Sequence, residues 1–245
     1  MEAEQFLTAA EMPSQRARAK VALEAHGRVQ LSNFLPSDAA LSLAKQLEIA
    51  PWDLHFNEGG QPKRIPYSVI DEMAASERDG IFAAITQRAQ VRPEFFSDTY
   101  HITERYLSGE NTNGPLAQVH GLLNSERGLS ALRGLVNDER VAYVDVFGAR
   151  YRAGQFLAPH TDLIPGEERL FAYVLNLSPR WHVHWGGQLL FFDDQGVVTA
   201  GFSPRFGALN IFKVPQIHSV SVVAPFAAVP RFSISGWLHA KHPPR

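Results

Sequence analysis

Three side chains in the second half of the chain could together bind a metal ion. His160 and Asp162 stand two residues apart at the end of a predicted strand, so both can point to one side of an extended chain. His218 follows a proline-containing turn and begins another strand pattern. Two histidines and one carboxylate make a facial triad, which leaves adjacent open positions on Fe(II) for a chelating co-substrate and dioxygen. The set therefore indicates oxygen activation rather than a closed zinc site.

An arginine downstream of His218 could hold such a co-substrate. The segment RFSISGWLH begins at Arg231, and strand alternation places Arg231 and Ser233 on the same face. A guanidinium inside a β-core is costly unless it is paired, and its planar fork matches a carboxylate. A bound dicarboxylate is one natural partner, and a rim arginine paired with a local acid is the alternative.

Composition excludes several classes of protein. The chain has 245 residues, of which 45% are apolar and 20% charged, so it can bury a core. It has no cysteine, which rules out disulfides, iron–sulfur clusters and thiolate zinc sites. The 23 Lys and Arg against 25 Asp and Glu disfavour nucleic acid or an anionic membrane as partner. Because no signal peptide or membrane-spanning pattern is present, we expect a cytoplasmic protein.

The elements that must position these side chains differ between the two halves. The first 140 residues are mostly helical in pattern, with helices over 13–25, about 36–50 and 115–136, and one strand over 28–34. We expect Gly27 to end the first helix and Gly128 to divide the third. Leu41, Ala44 and Leu47 are predicted to form the buried face of the second. From Val141 the hydrophobic period changes to two. Strands are predicted at 141–147, 171–177, 188–192, 208–213, 219–223 and 231–238.

This arrangement predicts one domain. Six short strands separated by turn residues indicate a sandwich or barrel, and no Gly/Pro/Ser-rich linker divides the chain. We predict an α+β fold that is mainly β over residues 1–245. A helix-rich support over 1–140 would pack on a jelly-roll core, a double-stranded β-helix, over 141–245.

Four ordered motifs then resemble a known family, the Fe(II)- and 2-oxoglutarate-dependent dioxygenases. The resemblance is specifically to their bacterial prolyl hydroxylase-like (proline 4-hydroxylase) branch. The motifs span residues 151–162 (YRAGQFLAPHTD), 176–193 (NLSPRWHVHWGGQLLFFD), 210–223 (NIFKVPQIHSVSVV) and 231–238 (RFSISGWL). Their order and spacing match the family over roughly residues 140–240.

The resemblance implies roles for seven residues. His160, Asp162 and His218 would bind iron, and Arg231 with Ser233 would bind the distal carboxylate of 2-oxoglutarate.

Two further residues are implied to contact the co-substrate. Tyr151 lies where family members often place a tyrosine. The Y-L-N-x-x-W pattern of animal prolyl hydroxylases has a second tyrosine, which corresponds to Asn176 when one counts back from Trp181. Asparagine can donate a hydrogen bond but is shorter.

The implied reaction is hydroxylation of an unactivated C–H bond, with 2-oxoglutarate and dioxygen consumed and succinate and carbon dioxide released. The substrate would be a prolyl residue of a protein or peptide, and ascorbate is an implied reductant. A hydroxylase of a free amino acid or other small molecule is the main alternative. A non-catalytic cupin-like metal-binding module, and an interaction protein that acts through its helical half, also stay open.

Several other residues receive weaker predictions. His182 and His184 flank a turn and are predicted to be exposed or to face the substrate rather than bind metal. Arg169 is a candidate for the cavity mouth. The segments 57–67 and 107–115 are predicted loops, either of which could cover the site. The remaining histidines are predicted to lie on the surface or in the core: His26, His55, His101, His120, His239 and His242.

Overall fold

The computed structural model describes residues 2–58 and 60–242. Helices in this part of the chain lie mostly in its first half. Their bounds are α1 (Glu2–Glu11), α2 (Pro13–His26), α3 (Ser37–Glu48), α4 (Tyr67–Glu72), α5 (Ala75–Ala89), α6 (Ile102–Leu107), α7 (Pro115–Leu123) and α8 (Glu126–Val136). A 3-10 turn spans Val183–Trp185. None of the described helices is long and apolar enough to cross a bilayer.

The strands occur in both halves of the chain. Their bounds are β1 (Arg28–Leu31), β2 (Asp53–Glu58), β3 (Gln61–Pro66), β4 (Phe95–Tyr100), β5 (Tyr143–Val144), β6 (Phe147–Tyr151), β7 (Phe156–His160), β8 (Arg169–Asn176), β9 (Leu189–Phe192), β10 (Val198–Phe202), β11 (Leu209–Lys213), β12 (His218–Val220) and β13 (Arg231–His239). The six strands predicted for the second half all have observed counterparts, and the strand expected to end near His160 is β7. The prediction over 141–147 contains β5 but only the first residue of β6, and β10 had no prediction.

The strands form one curled antiparallel sheet, which is the predicted jelly roll. Its order is β1-β11-β8-β13-β6-β4-β7-β12-β9-β10, and β2 and β3 extend from β4. Side chains from β6, β8 and β13 line the same cavity as side chains from β7, β9 and β12, so the two parts of the sheet face each other. The opposite face of β13 carries Phe232, Ile234 and Leu238 into the main core.

Helices α1, α2, α3, α7 and α8 contribute to that core and support the sheet from outside. In α3 the buried stripe is Ala40, Leu43, Ala44 and Leu47, the spacing of one helical face. The prediction was correct for Ala44 and Leu47 and wrong for Leu41, which is 41% exposed because it lies off this stripe. Gly27 adopts a left-handed conformation and ends α2 as predicted.

The predicted helix over 115–136 is divided at a different place. The break falls between Leu123 and Glu126, and Ser125 caps α8 by accepting a hydrogen bond from the backbone N–H of Gly128. Gly128 is therefore inside α8. A Cβ atom there would lie 2.1 Å from the carbonyl oxygen of Leu122, so this glycine permits the close turn between the two helices rather than interrupting one.

The prediction of a loop over 57–67 was wrong, because most of this segment forms the two arms of a hairpin, β2 and β3. Gly59 lies outside the described residues. β4 was also missed, although it lies between β6 and β7 in the sheet order. Its residues that face the cavity are Phe95, Ser97 and Thr99, and because two of these three are polar, the usual alternation of apolar and polar residues is hidden.

Candidate active site

The three predicted metal ligands converge at one point. Strand β7 ends at His160 and β12 begins at His218, and these residues are directly opposite each other in the strand pairing. Asp162 follows β7 by two residues. Its Oδ1 lies 3.5 Å from His160 Nε2, and its Oδ2 lies 3.5 Å from His218 Nε2. One candidate ligand atom from each residue lies within 4.8 Å of the others, a spacing that one metal ion can bridge.

Backbone contacts fix how both imidazoles are oriented. His160 Nδ1 lies 3.0 Å from the carbonyl oxygen of Ala158, and His218 Nδ1 lies 2.9 Å from that of Gln216. An Nδ1–H that donates to a carbonyl leaves the Nε2 lone pair free, and both Nε2 atoms face Asp162. Each histidine thus presents the ring nitrogen that a metal would use.

The electrostatics of the triad favour an ionised Asp162 next to a neutral His218. Burial lowers the pKa of His218 to about 4, so its ring is neutral. Burial opposes protonation of His160 as well, but the hydrogen bond and charge of Asp162 outweigh it and raise the pKa of this histidine. For Asp162 burial opposes ionisation, yet the two histidines bring the pKa below its usual value. A carboxylate held between two imidazoles is a nitrogen- and oxygen-rich metal site.

Arg231 supplies an unpaired cation next to the triad. It is 2% exposed and pairs in register with Tyr151 of β6, whose ring centroid lies 5.3 Å from the guanidinium carbon. In the part of the chain that the structure describes, its Nη2 makes only a long contact of 3.5 Å to Asn176 Oδ1, and its Nε has no hydrogen-bond partner. Within the described residues no carboxylate oxygen lies within 4.0 Å of it. A buried guanidinium without a counter-ion calls for an anionic ligand.

One cavity of about 360 Å³ connects the triad with Arg231. Four residues of one face of β13 line it, namely Arg231, Ser233, Ser235 and Trp237, and Arg231 and Ser233 thus share a face as predicted. Gly187 has a positive φ of 63°, and a Cβ atom there would lie 3.0 Å from Arg231 Cδ. This glycine lets the turn before β9 close over the arginine.

The residues predicted to contact the co-substrate differ in whether they line the cavity. Tyr151 and Ser233 line the cavity, and Ser233 Oγ lies 3.2 Å from Ser235 Oγ. Asn176 does not line it, because its Nδ2 donates to the carbonyl oxygen of Ala208 and its Oδ1 faces Arg231. Val174 occupies the inward position on β8 instead. Val174, Leu175 and Asn176 align directly with Tyr-Leu-Asn of the family pattern if two additional residues precede Trp181.

Other cavity residues were missed or only weakly predicted. His55 and His101 line the cavity, contrary to their predicted place in the surface or ordinary core. Arg169 also lines it, stacks 3.7 Å above the Trp237 ring and donates to Glu167 at 2.8 Å. His55 lies on β2, and His101 directly follows β4. Strand alternation could therefore have placed the two histidines in the cavity wall only if these strands had been predicted from the sequence. His182 and His184 are exposed, as predicted.

The jelly roll, the His-x-Asp…His triad and the buried arginine together match the arrangement that the family resemblance implies. Comparison with known families agrees. Residues 146–239 match the model of the 2OG-Fe(II) oxygenase superfamily. The predicted family resemblance is thereby confirmed.

Individual relatives point in the same direction. Prolyl 3-hydroxylase OGFOD1 of Xenopus laevis is 34% identical over 124 residues, which cover 46% of this chain and 24% of the relative. The chain thus spans about a quarter of the length of this curated relative. A prolyl-4-hydroxylase from Pseudomonas putida superimposes with a TM-score of 0.55 and 20% identity, covering 93% of this chain and 100% of that one.

A further solved structure is a prolyl hydroxylase from Trichoplax adhaerens, in complex with a peptide fragment of the hypoxia inducible factor oxygen degradation domain. It has a TM-score of 0.58 and 15% identity, and the match covers 96% of this chain and 92% of that one. These two structural likenesses establish the shared fold.

Proposed function

We propose that this protein is an Fe(II)- and 2-oxoglutarate-dependent dioxygenase that hydroxylates a prolyl residue of a protein or peptide. The observation that carries the proposal is Arg231, a buried guanidinium without a counter-ion in the same cavity as the triad. A catalytically inactive metal-binding module would have no need for this arrangement, because burying an unpaired cation costs several kcal/mol. A dicarboxylate that also chelates the metal would neutralise it.

The side chains have separate tasks in this proposal. His160, Asp162 and His218 hold the iron, and the backbone carbonyls of Ala158 and Gln216 fix the two rings. With 2-oxoglutarate and dioxygen, the iron supplies the oxidising step that converts the C–H bond to C–OH and yields succinate and carbon dioxide.

Three residues support the co-substrate rather than the metal. Arg231 grips the distal carboxylate, and Ser233 and Tyr151 line the space beside it. Asn176 orients the guanidinium from behind, since its Oδ1 faces Arg231 Nη2. A direct contact of Asn176 with 2-oxoglutarate stays a prediction.

The prolyl substrate is supported by the relatives and by the cavity wall. The sequence relative with 34% identity is named a prolyl 3-hydroxylase. Beyond the triad the wall carries Phe95, Phe147, Ile164 and Trp237, and this aromatic and apolar surface suits an uncharged ring. Ascorbate as reductant and a cytoplasmic location stay predictions from the sequence.

Anaerobic binding and aerobic turnover together test this function. Addition of Fe(II) and then 2-oxoglutarate to the anaerobic protein should produce a weak visible charge-transfer band. The band should vanish in His160→Ala and persist in His182→Ala, a matched control because His182 is exposed and outside the cavity. A folded protein without the band would favour a non-catalytic module.

Aerobic incubation with proline-containing peptides, free proline and cell extract proteins then identifies the substrate. We expect a gain of one oxygen atom on peptide or protein proline, with one succinate per hydroxyl group, measured by mass spectrometry. Oxidation of free proline with unmodified peptides would instead assign the small-molecule alternative.

A further inference from the structure

The charges of the cavity wall are distributed unevenly. Four lining residues carry a formal charge: Asp145, Asp162, Arg169 and Arg231. Under the proposed function, the metal neutralises Asp162 and the co-substrate neutralises Arg231. Arg169 already donates to Glu167 at 2.8 Å. Asp145 is left, and within the described residues no lysine or arginine nitrogen lies within 4.0 Å of its carboxylate.

Asp145 is held firmly in an inward-facing position. It precedes Phe147, Ala149 and Tyr151 at intervals of two residues, and all four line the cavity. Its backbone N–H donates to the carbonyl oxygen of Trp237 at 2.9 Å, and its own carbonyl accepts from the Tyr173 hydroxyl at 3.0 Å. Among the described residues, the hydrogen bond to its carboxylate comes from the backbone N–H of Val146 and reaches Oδ1 alone. Oδ2 can therefore accept from a ligand.

The co-substrate cannot reach this carboxylate. Arg231 pairs with Tyr151 at one end of β13, whereas Asp145 bonds to Trp237, six residues further along the same strand. At the rise of an extended strand, six residues correspond to about 20 Å. This length exceeds that of a five-carbon diacid bound at Arg231, so Asp145 belongs to the part of the cavity that is open to the other substrate.

The cavity wall next to Asp145 does not neutralise the negative charge of this residue. Burial and Arg64 lower the pKa of His101, which faces the same space, and the charges of Glu104, Asp145 and Asp53 act in the opposite direction. Of these carboxylates, Glu104 is neutralised by Arg64 at 2.7 Å. Asp145 is the one that lines the cavity. The substrate end of the cavity is thus electronegative, and Coulomb attraction there is stronger than in bulk water.

We propose that Asp145 is a specificity-determining residue that selects peptides with a cationic side chain next to the target proline. The inference rests on the proposed prolyl hydroxylase function and adds the chemistry of the flanking residue. A lysine or arginine side chain is long enough to leave the peptide backbone near the iron and bring its charged group to Oδ2. A flanking carboxylate would be repelled from the same position.

Matched peptides test this selection. Peptides that carry lysine beside the proline are compared with peptides that carry uncharged norleucine or glutamate at the same place, with each neighbouring position tried in turn. For the wild type we expect kcat/KM to be about tenfold higher with lysine than with norleucine, the effect of one partly screened charge pair. In Asp145→Asn this ratio should fall to about one, and in Asp145→Lys glutamate should be preferred.

An exposed aspartate supplies the control variant, and two outcomes would contradict the role of Asp145. Asp194→Asn removes an exposed carboxylate outside the cavity and should keep the wild-type ratio. An unchanged lysine preference in folded Asp145→Asn would overturn the role of Asp145. Equal rates of the wild type on all three peptides would also overturn it, without any need for a variant. If the wild type consumes 2-oxoglutarate but hydroxylates no peptide proline, the proposed function fails instead.

Discussion

Arg231 and Arg150 lie on neighbouring strands, yet they have opposite surroundings. Arg150, on the outer face of β6, donates to Asp98 at 2.7 Å, and Asp98 also accepts from Tyr67 and Gln155 at 2.8 Å each. Arg231, on the inner face of β13, has no such acid among the residues that the structure describes. Both are mostly buried charges. The difference shows that a complete set of partners marks a structural ion pair, whereas a missing partner marks a place for a ligand.

Replacement of Arg231 should produce the largest effect and separate binding from stability. Arg231→Met keeps most of the side-chain volume but removes the charge. We expect the dissociation constant of 2-oxoglutarate to rise about a thousandfold, since truncating one partner of a buried charge pair costs about 4 kcal/mol. The melting temperature of the ligand-free protein should stay the same or rise, because an unpaired buried cation is removed. Anaerobic titration and thermal unfolding measure the two quantities.

Replacement of Arg150 should show the reverse. Arg150→Met leaves the carboxylate of Asp98 buried with fewer donors, and we expect the free energy of unfolding at neutral pH to fall by about 3 kcal/mol. The affinity for 2-oxoglutarate should change less than threefold, because Arg150 does not line the cavity. Urea unfolding and the same anaerobic titration check both points. A large loss of affinity with unchanged stability would contradict the comparison.

The inner surface of β13 could be predicted from sequence because strand alternation is simple. The pattern placed Arg231 and Ser233 together, and both line the cavity. The His-x-Asp spacing gave the triad for a similar reason, since His160 and Asp162 are close in the chain and His218 begins a recognisable strand. Local periodicity thus sufficed where the inward side chains belong to one or two strands.

Features that depend on distant pairings could not be predicted in this way. Asn176 was assigned by counting back from Trp181, and only the structure reveals that Val174 faces the cavity. β4 brings polar residues to the interior, so its pattern lacks the apolar alternation of a half-buried strand. His55 enters the cavity wall because β2 pairs with β4, a contact between segments about forty residues apart in sequence.

The pH dependence of stability sharpens the contrast between the two arginines. Burial raises the pKa of Asp98 from 3.8 to about 6, against the opposing effects of Arg150 and Gln155. Since the pKa is higher in the folded state, the stability that this group contributes is present at low pH and is lost as the pH rises from about 4 to about 6. Relative to Asp98→Asn, the free energy of unfolding of the wild type should fall by roughly 2–3 kcal/mol over this pH range.

Urea unfolding of both proteins at several pH values measures that difference. The Arg231→Met variant should follow the wild-type curve, because Arg231 does not contact Asp98. Parallel curves for the wild type and Asp98→Asn would contradict the raised pKa of Asp98.

The smallest effect is expected at Ser233, where the cavity offers the co-substrate a neutral hydrogen bond. Ser233 is buried beside Arg231 on the inner face of β13, and its Oγ lies 3.2 Å from Ser235 Oγ. Ser233→Ala should weaken 2-oxoglutarate binding three- to tenfold, about 1 kcal/mol, because one neutral hydrogen bond is lost while the guanidinium stays in place. Ser235→Ala, two residues further from Arg231, should change the affinity less. If the two alanine variants bind 2-oxoglutarate equally well, the guanidinium alone binds its distal carboxylate.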